Sequence, residues 1–312
     1  MKKPETSIFE QLRGVVHSPK EKRNIRNGLL FISPWLVGLL GFTIYPICAS
    51  FSWSFCMFDG FSPPVWVGLE NYRILLLEDP LFWKSLFNTL FMVILALPIT
   101  LAFSLSLALL LNMKVKGQPV YRTILYLPSI APVIAVSVLW LWMLNPEYGL
   151  INRFLGFFGM DVIGWLIDPN MAKPALILMG LWQVGGGVLI FLAGLQNVPM
   201  ALYEAAEVDG AGILHKFRHV TLPMISPILL FNAIMGIIGY FQYFTQAFVM
   251  TAGGPQDATL FYALHLFNKA FLDFQLGYAS AMAWILFLLI LVATIIVLRT
   301  SRSWVYYEGE AK

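Results

Sequence analysis

Charge is scarce in this chain. Only 12% of its 312 residues are Asp, Glu, Lys or Arg, while 59% are hydrophobic. An ordinary soluble domain is about a quarter charged and about half apolar. So little charge cannot cover a water-soluble globule of this size, which excludes the ordinary soluble class and leaves the membrane as solvent. Cysteine is almost missing. Cys48 and Cys56 would stand about 12 Å apart on a helix, too far to bridge, so small apolar space-fillers are expected. No Gly-x-x-x-x-Gly-Lys-Ser/Thr run occurs, which excludes a P-loop nucleotide site. The four histidines, His17, His215, His219 and His265, are too scattered for an expected metal site. A net charge of +3 is too small to argue for a nucleic-acid partner. No cleavable signal is evident, because the first apolar run is longer than a signal-peptide core.

Long apolar runs are abundant, and they organise the chain. Six occur, at 29–57, 86–111, 123–144, 174–195, 228–250 and 278–298, and none holds an Asp, Glu, Lys or Arg. Each reaches the roughly 20 residues that cross a bilayer as helix. Backbone groups in lipid must be satisfied within the segment, so helix is the only choice. The expected fold is therefore an all-α membrane protein of six spans. A 1–28 segment precedes the 29–298 membrane domain, and a 299–312 tail follows it.

Orientation follows from Lys and Arg. The N-terminal segment holds seven, the second loop three, the fourth two and the tail three. Only five of the twenty fall in the first, third and fifth loops. The positive-inside rule then places both termini and the even-numbered loops in the cytoplasm. In the N-terminal segment Ile8, Phe9, Leu12, Val15 and Val16 fall at helical spacing beside basic residues. A short helix lying on the inner membrane face is expected there.

One connection is unlike the rest. Residues 196–223 are too many for a simple turn. From Pro199 good helix formers run through Glu207, then Gly210 and Gly212 break the helix. Leu214, Phe217, Arg218 and Val220 suit a second short helix ending before Pro223. A helix–glycine–helix element on the cytoplasmic face has the form of a docking surface. A loop helix that only packs on lipid is the alternative from physics alone.

The residues of this loop resemble a known pattern. Glu204-Ala205-Ala206, then Gly210, then Val220, then Leu222-Pro223 is similar to the signature loop of binding-protein-dependent ABC importer permeases, with Val220 standing where the family has Ile. The resemblance extends along the chain. Tyr45-Pro46, Val67 to Tyr72, Asn88-Thr89, Leu127-Pro128, Pro132, Trp140 and Phe191 to Gln196 are similar to the carbohydrate-type members. So are Thr251 to Pro255, Ala270-Phe271 and Gly277 to Ala281. This is the class of the first membrane subunit of maltose and glycerol-3-phosphate importers.

The resemblance implies a type I importer permease fold in a bacterial or archaeal plasma membrane. It implies a second permease subunit as heterodimer partner, two ATPase subunits carrying ATP and Mg, and a solute-binding protein outside. The chain itself would be neither an enzyme nor a cofactor binder. Glu204, Ala205, Ala206, Asp209, Gly210, Leu222 and Pro223 would couple it to the ATPase.

A solute path is sought among polar groups inside spans, because they are expensive unless they face the bundle interior. The fifth span carries Asn232, Tyr240, Gln242, Tyr243, Thr245 and Gln246, and the fourth carries Gln183 beside Gly185-Gly186-Gly187. Aromatic faces with amides and hydroxyls suit a sugar or polyol, and Tyr240 and Tyr243 share a helix face at spacing three. Interhelical hydrogen bonding is the competing use of each. The resemblance, aligned on Thr251 to Pro255, implies sugar contact near Tyr240, Gln242 and Tyr243. The glycine run suits close helix packing, or room beside a solute.

Other classes fit less well. A secondary transporter of a neutral solute, working without ATPase partners, is the alternative, but such proteins usually carry an ionisable group or a broken helix pair at midplane. An embedded enzyme needs a nucleophile or paired carboxylates within the spans. A channel needs a filter loop or charged ring.

Overall fold

A computed structural model describes residues 19–113 and 116–306. The expected interfacial helix around Ile8–Val16 lies outside the described residues. The chain is helical almost throughout. The first rod starts ahead of Leu29, as α1 (Pro19–Leu39), and passes through a π-helical turn at Leu40–Ile44 into α2 (Tyr45–Trp53). No residue of its apolar window, within Lys22–Trp53, is fully buried.

The expectation of an all-α chain needs one small correction. Two-residue strands β1 (Cys56–Met57) and β2 (Val65–Trp66) pair antiparallel, Cys56 opposite Trp66. Asn71, in α3 (Glu70–Leu77), explains the local order: its Nδ2 donates to the carbonyls of Ser54 and Cys56 at 2.9 Å. Tyr72 donates its hydroxyl to Ser54 Oγ at 2.8 Å.

The second rod is α4 (Pro80–Phe91), a π turn at Met92–Ala96, and α5 (Leu97–Asn112). Asp79 caps it, accepting from the Leu81 and Phe82 amides, with Pro80 at the first helical position, where its missing N–H costs nothing.

The third expected span, 123–144, is not one straight helix. α6 (Gln118–Ile130) and α7 (Val133–Met143) meet at 97°. Pro132 is the reason: proline drives the preceding residue out of the helical region, and Ala131 stands extended at ψ 138°. After α8 (Leu150–Gly156), the fourth span is also bent. α9 (Pro169–Trp182) and α10 (Gly185–Gln196) are angled by 50°, and Gln183 sits at the bend. The described residues thus hold four continuous helices able to cross a membrane, or six spans if each bent pair is one.

The remaining elements are α11 (Met200–Val208), α12 (Ile213–Lys216), a π turn at Phe217–Thr221, α13 (Leu222–Met224), α14 (Ser226–Phe241), α15 (Thr245–Met250) and α16 (Tyr262–Phe267). A π turn at Asn268–Leu272 then leads to α17 (Leu276–Ser301).

Three apolar cores hold these helices together. One gathers α7, α9 and α15 around Met92, Trp140, Met179 and Phe261. A second joins α4, α14 and α17 through Phe82, Phe241 and Met282. The third packs α5 against α10 through Leu105, Val188 and Phe191.

One resemblance motif holds the loop that follows another. Asn88 Nδ2 donates to the Asp257 and Leu260 carbonyls, and Thr89 Oγ1 accepts from the Tyr262 amide. The Asn88-Thr89 pair therefore pins the loop that follows Thr251 onto α4.

A buried polar joint ties three distant segments. Asp79 Oδ2 accepts from Tyr278 Oη at 2.6 Å and contacts His265 Nε2 at 2.9 Å. The side chains of His265 and Asp79 are only 3% and 12% exposed. Burial pushes the Asp79 carboxyl up. The hydrogen bonds from Tyr278 and His265, with the imidazolium charge, outweigh burial and hold it below its ordinary 3.8. A depressed carboxylate stabilises the fold above its ordinary pKa and loses that contribution as pH falls through the depressed value.

Removing one partner of a buried pair costs about 3 kcal/mol or more. His265→Ala is therefore expected to lower the unfolding temperature of the solubilised protein by on the order of 5 °C. Asp79→Asn should lower it at neutral pH and weaken its dependence on pH below 3.8. An unchanged melting curve for His265→Ala would remove the joint from the account of stability.

Candidate functional site

The loop between α10 and α14 is built as two short arms around a glycine corner. Pro199 stands extended and starts α11. The helix closes with a double turn of carbonyl capping: the Gly210 amide donates to the Glu207 carbonyl at 3.0 Å and the Ala211 amide to the Ala206 carbonyl at 2.9 Å. This is the Schellman arrangement, which requires a left-handed residue after the C-cap. Asp209 is that C-cap, and Gly210 takes φ +75°. The spacing from Ala206 to Gly210 thus has a backbone cause.

Gly212 then stands extended and opens the second arm. Lys216 Nζ reaches Glu207 Oε2 at 3.0 Å, and the Tyr203 hydroxyl bonds Thr221 Oγ1 at 3.0 Å. The arms are clipped together at both contacts. Glu204 and Ala205 are exposed, and Ala206 is half-buried. The corner presents Val208, Ile213 and Leu214 at 88%, 90% and 77% exposure.

The second arm does not end before Pro223. It passes through the π turn and continues as Leu222–Met224. Pro223 falls in the first turn of α13, where no helical donor is required. The base of the loop rests on the C-terminal segment, where Ser226 Oγ accepts from the Tyr306 amide at 2.9 Å.

The polar residues of the fifth span surround a break. α14 ends at Phe241 and α15 begins at Thr245, leaving Gln242, Tyr243 and Phe244 non-helical. Tyr240 and Tyr243 therefore do not share a continuous helix face as expected. Their rings still lie nearly parallel, 6.2 Å apart at 16°. The Tyr240 hydroxyl is engaged by Thr100 Oγ1 at 2.7 Å, while Gln242 is exposed at the break.

Met179, one turn before Gln183, belongs to the apolar cluster against which Tyr240, Tyr243 and Phe244 pack. The structure thus brings the two bent regions to one cluster. It shows no direct bond among Gln183, Gln242 and Gln246, which are half-buried, exposed and half-buried in that order. Broken helices free backbone groups that lipid cannot satisfy, and such breaks occur where a cavity or protein surrounds them.

Asn232 is accounted for differently. Its Nδ2 donates to the Ile228 carbonyl, and it faces α10, where a Cβ on Gly187 would lie 3.8 Å from its Oδ1.

Sequence reasoning missed several groupings. His215 and His219 stack with ring centroids 4.0 Å apart. His265 joins Asp79 across 186 positions. A cavity of about 750 Å³ lies between the segment after β1 and the start of α17, lined by Asp59, Glu78, Lys269, Gln275 and Tyr278. It coincides with neither candidate site. Asp79 left a sequence signal, as an acidic residue directly before a proline-led helix, and His215 and His219 stand four apart, the spacing of one helix face.

The chain belongs to the family described as binding-protein-dependent transport system inner membrane component, whose model matches residues 99–305. It is 43% identical over 299 residues to the probable ABC transporter permease protein YesP of Bacillus subtilis, covering 93% of this chain and 96% of that one. It is 35% identical to the trehalose/maltose transport system permease protein MalF of Thermococcus litoralis, covering 90% and 95%. Its fold matches a chain of a bacterial ABC transporter involved in the import of the acidic polysaccharide alginate, with a TM-score of 0.78 at 23% identity, over 92% of this chain and 99% of that one. The chain is therefore a multi-pass permease of a binding-protein-dependent ABC importer with a type I importer fold, a transport subunit and not a catalytic one.

Proposed function

We propose that this chain carries a sugar-like solute across the plasma membrane, driven by a separate ATPase that docks on the corner between α11 and α12. The carrying observation is that corner itself: the family spacing, the left-handed Gly210 and three exposed apolar side chains in one short element. Exposed apolar groups gathered this way mark a protein contact. The sugar class is supported by the trehalose/maltose and alginate importers among the similar proteins. A second permease, two ATPase subunits and a solute-binding protein complete the proposed assembly, with ATP and Mg held by the ATPase. The broken fifth span and the two bent helix pairs also suit a gradient-driven transporter, but the family match is to binding-protein-dependent permeases.

The test is reconstitution with the partner subunits in vesicles. Uptake should require ATP and the binding protein, and a sodium or proton gradient alone should drive none. Gln242→Leu, at the break, should lower uptake several-fold, the scale of one lost hydrogen bond of about 1 kcal/mol. The variant should still elute as an intact complex. Uptake at the wild-type rate would remove Gln242 from the path.

Both termini are proposed to be cytoplasmic on the distribution of Lys and Arg. With Cys48 and Cys56 replaced by Ser, cysteines at Glu5 and Glu308 should react with an impermeant thiol reagent only after permeabilisation. Reaction in intact cells at either position contradicts that orientation.

A further inference from the structure

The segment that follows α7 is apolar on two sides. On its inner side Ile151 of α8, with Trp165 and Leu166 after it, packs against the core cluster around Trp140 and Met179. On its outer side Phe154, Phe157, Phe158, Met160 and Val162 are all exposed. The Phe154 and Phe158 rings meet edge to face at 5.2 Å. Arg153 and Asp161 are the only charged residues from Leu150 to Ile163.

The backbone under the phenylalanines needs no water. The amides of Phe157, Phe158 and Gly159 donate to the carbonyls of Phe154, Leu155 and Gly156, and the Met160 amide donates to the Leu155 carbonyl. Gly159, at φ +74°, supplies the left-handed residue that this closure requires. Asn152 is buried beneath the turn. Its Oδ1 accepts from the Ile163 amide and Trp165 Nε1, and its Nδ2 donates to the Ile163 carbonyl. Donors satisfied within the segment are the condition that lipid imposes.

Its place in the chain brings the segment to the membrane surface. α7 ends at Met143, and the connection to α8 folds back on itself. The Gly149 amide donates to the Asn145 carbonyl at 2.9 Å, and the Glu147 and Tyr148 amides donate to Asn145 Oδ1. Trp142 and Tyr148 are exposed on this approach, and they are residue types that gather at the headgroup level. A soluble partner suits the outer face less well. Reversible protein contacts are only about as apolar as ordinary surface, and a partner that leaves returns the phenylalanines to water.

We infer that the segment from Leu150 to Val162 is an interfacial anchor, seated in the outer leaflet with phospholipid acyl chains covering its phenylalanine face. Which leaflet it occupies follows from the proposed orientation, while the contact with lipid does not depend on it. Because the inner side packs among α7 and α9, the anchor holds the outer ends of both bent helix pairs at the membrane surface.

The experiment uses the complete complex in phospholipid nanodiscs, with Cys48 and Cys56 replaced by Ser. A small environment-sensitive fluorophore is placed on Phe157→Cys, Phe158→Cys or Met160→Cys, one at a time, and on Glu147→Cys as the water-exposed reference. Lipid with a doxyl group high on its acyl chain should quench each of the three labels by about half, because interfacial segments sit some 5–10 Å into the headgroup and acyl boundary. Aqueous iodide should quench them several-fold less than the label at Glu147→Cys. Adding the solute-binding protein should change neither result.

Iodide quenching equal to that at Glu147→Cys, or quenching that the binding protein relieves, overturns the anchor and gives the face to water or to that protein. Labels reached by neither quencher overturn it in favour of a partner subunit. None of these outcomes touches the importer reading, which ATP-driven uptake tests separately.

Discussion

Gly210→Val is expected to abolish ATP-driven uptake while the protein still inserts and folds its membrane core. Gly210 sits at φ +75°, where an L-residue pays about 1–2 kcal/mol and a β-branched one more. Among the described residues, no atom beyond its chain neighbours lies within 4 Å of the position a Cβ would take. The damage is therefore to the corner's backbone and to whatever docks there, not to packing inside the subunit. Losing the left-handed residue releases the capping bonds to the Glu207 and Ala206 carbonyls, and the exposed Val208, Ile213 and Leu214 lose their fixed relation.

Glu204→Lys probes the same surface by charge. It reverses an exposed carboxylate on α11 without touching a capping bond. Both variants should retain solute binding and lose uptake per ATP hydrolysed, measured in vesicles with all partner subunits present. Normal uptake per ATP in both would reduce the corner to a linker.

Gly185→Val should produce little or no folded protein. A Cβ at Gly185 would stand 2.5 Å from the Leu125 carbonyl oxygen and 2.9 Å from Tyr126 Cα. Both are backbone atoms of α6, so no rotamer change relieves the clash and the two helices must separate. Overpacking of this kind costs typically 1–3 kcal/mol when side chains give way, and more is expected when only backbone can move.

Gly186→Ala is the internal control. Among the described residues nothing outside its own helix backbone and chain neighbours lies within 4 Å of its Cβ position, and alanine in a helix gains about 0.5–1 kcal/mol over glycine. Size-exclusion profiles of the solubilised proteins decide the matter: Gly186→Ala should elute as the wild type and Gly185→Val should aggregate. A wild-type profile for Gly185→Val would mean that α10 and α6 do not pack so closely. Reduced uptake in a well-folded Gly186→Ala would instead show that its open side faces the solute or the partner subunit.

The glycine run shows how far the sequence could be read. Three adjacent glycines at 185–187 suggested either close packing or room for a solute, and the structure divides them. Gly185 meets α6 backbone, Gly187 meets Ser104, and Gly186 is open. Helical phase within α10 makes this division, but which neighbour stands opposite each face is decided by the fold. Tyr240 and Tyr243 make the same point. A spacing of three predicted one helix face, yet the helix stops at Phe241, and the rings are held parallel by tertiary packing.

The sequence by itself determined the apolar spans, the family spacing of the loop, and the glycine corner at Gly210. Each is a local property, set by solvent preference over about 20 residues or by backbone freedom at one, and local chemistry is written contiguously. Only the tertiary structure decided the 97° bend at Ala131–Pro132, the broken helix at Gln242 and the Asp79–His265–Tyr278 joint. A proline or a polar residue within an apolar run is compatible with a straight, kinked or broken span, and neighbouring helices select among them. Contacts between residues nearly 200 positions apart depend on how whole helices cross, and no short stretch of sequence carries that information.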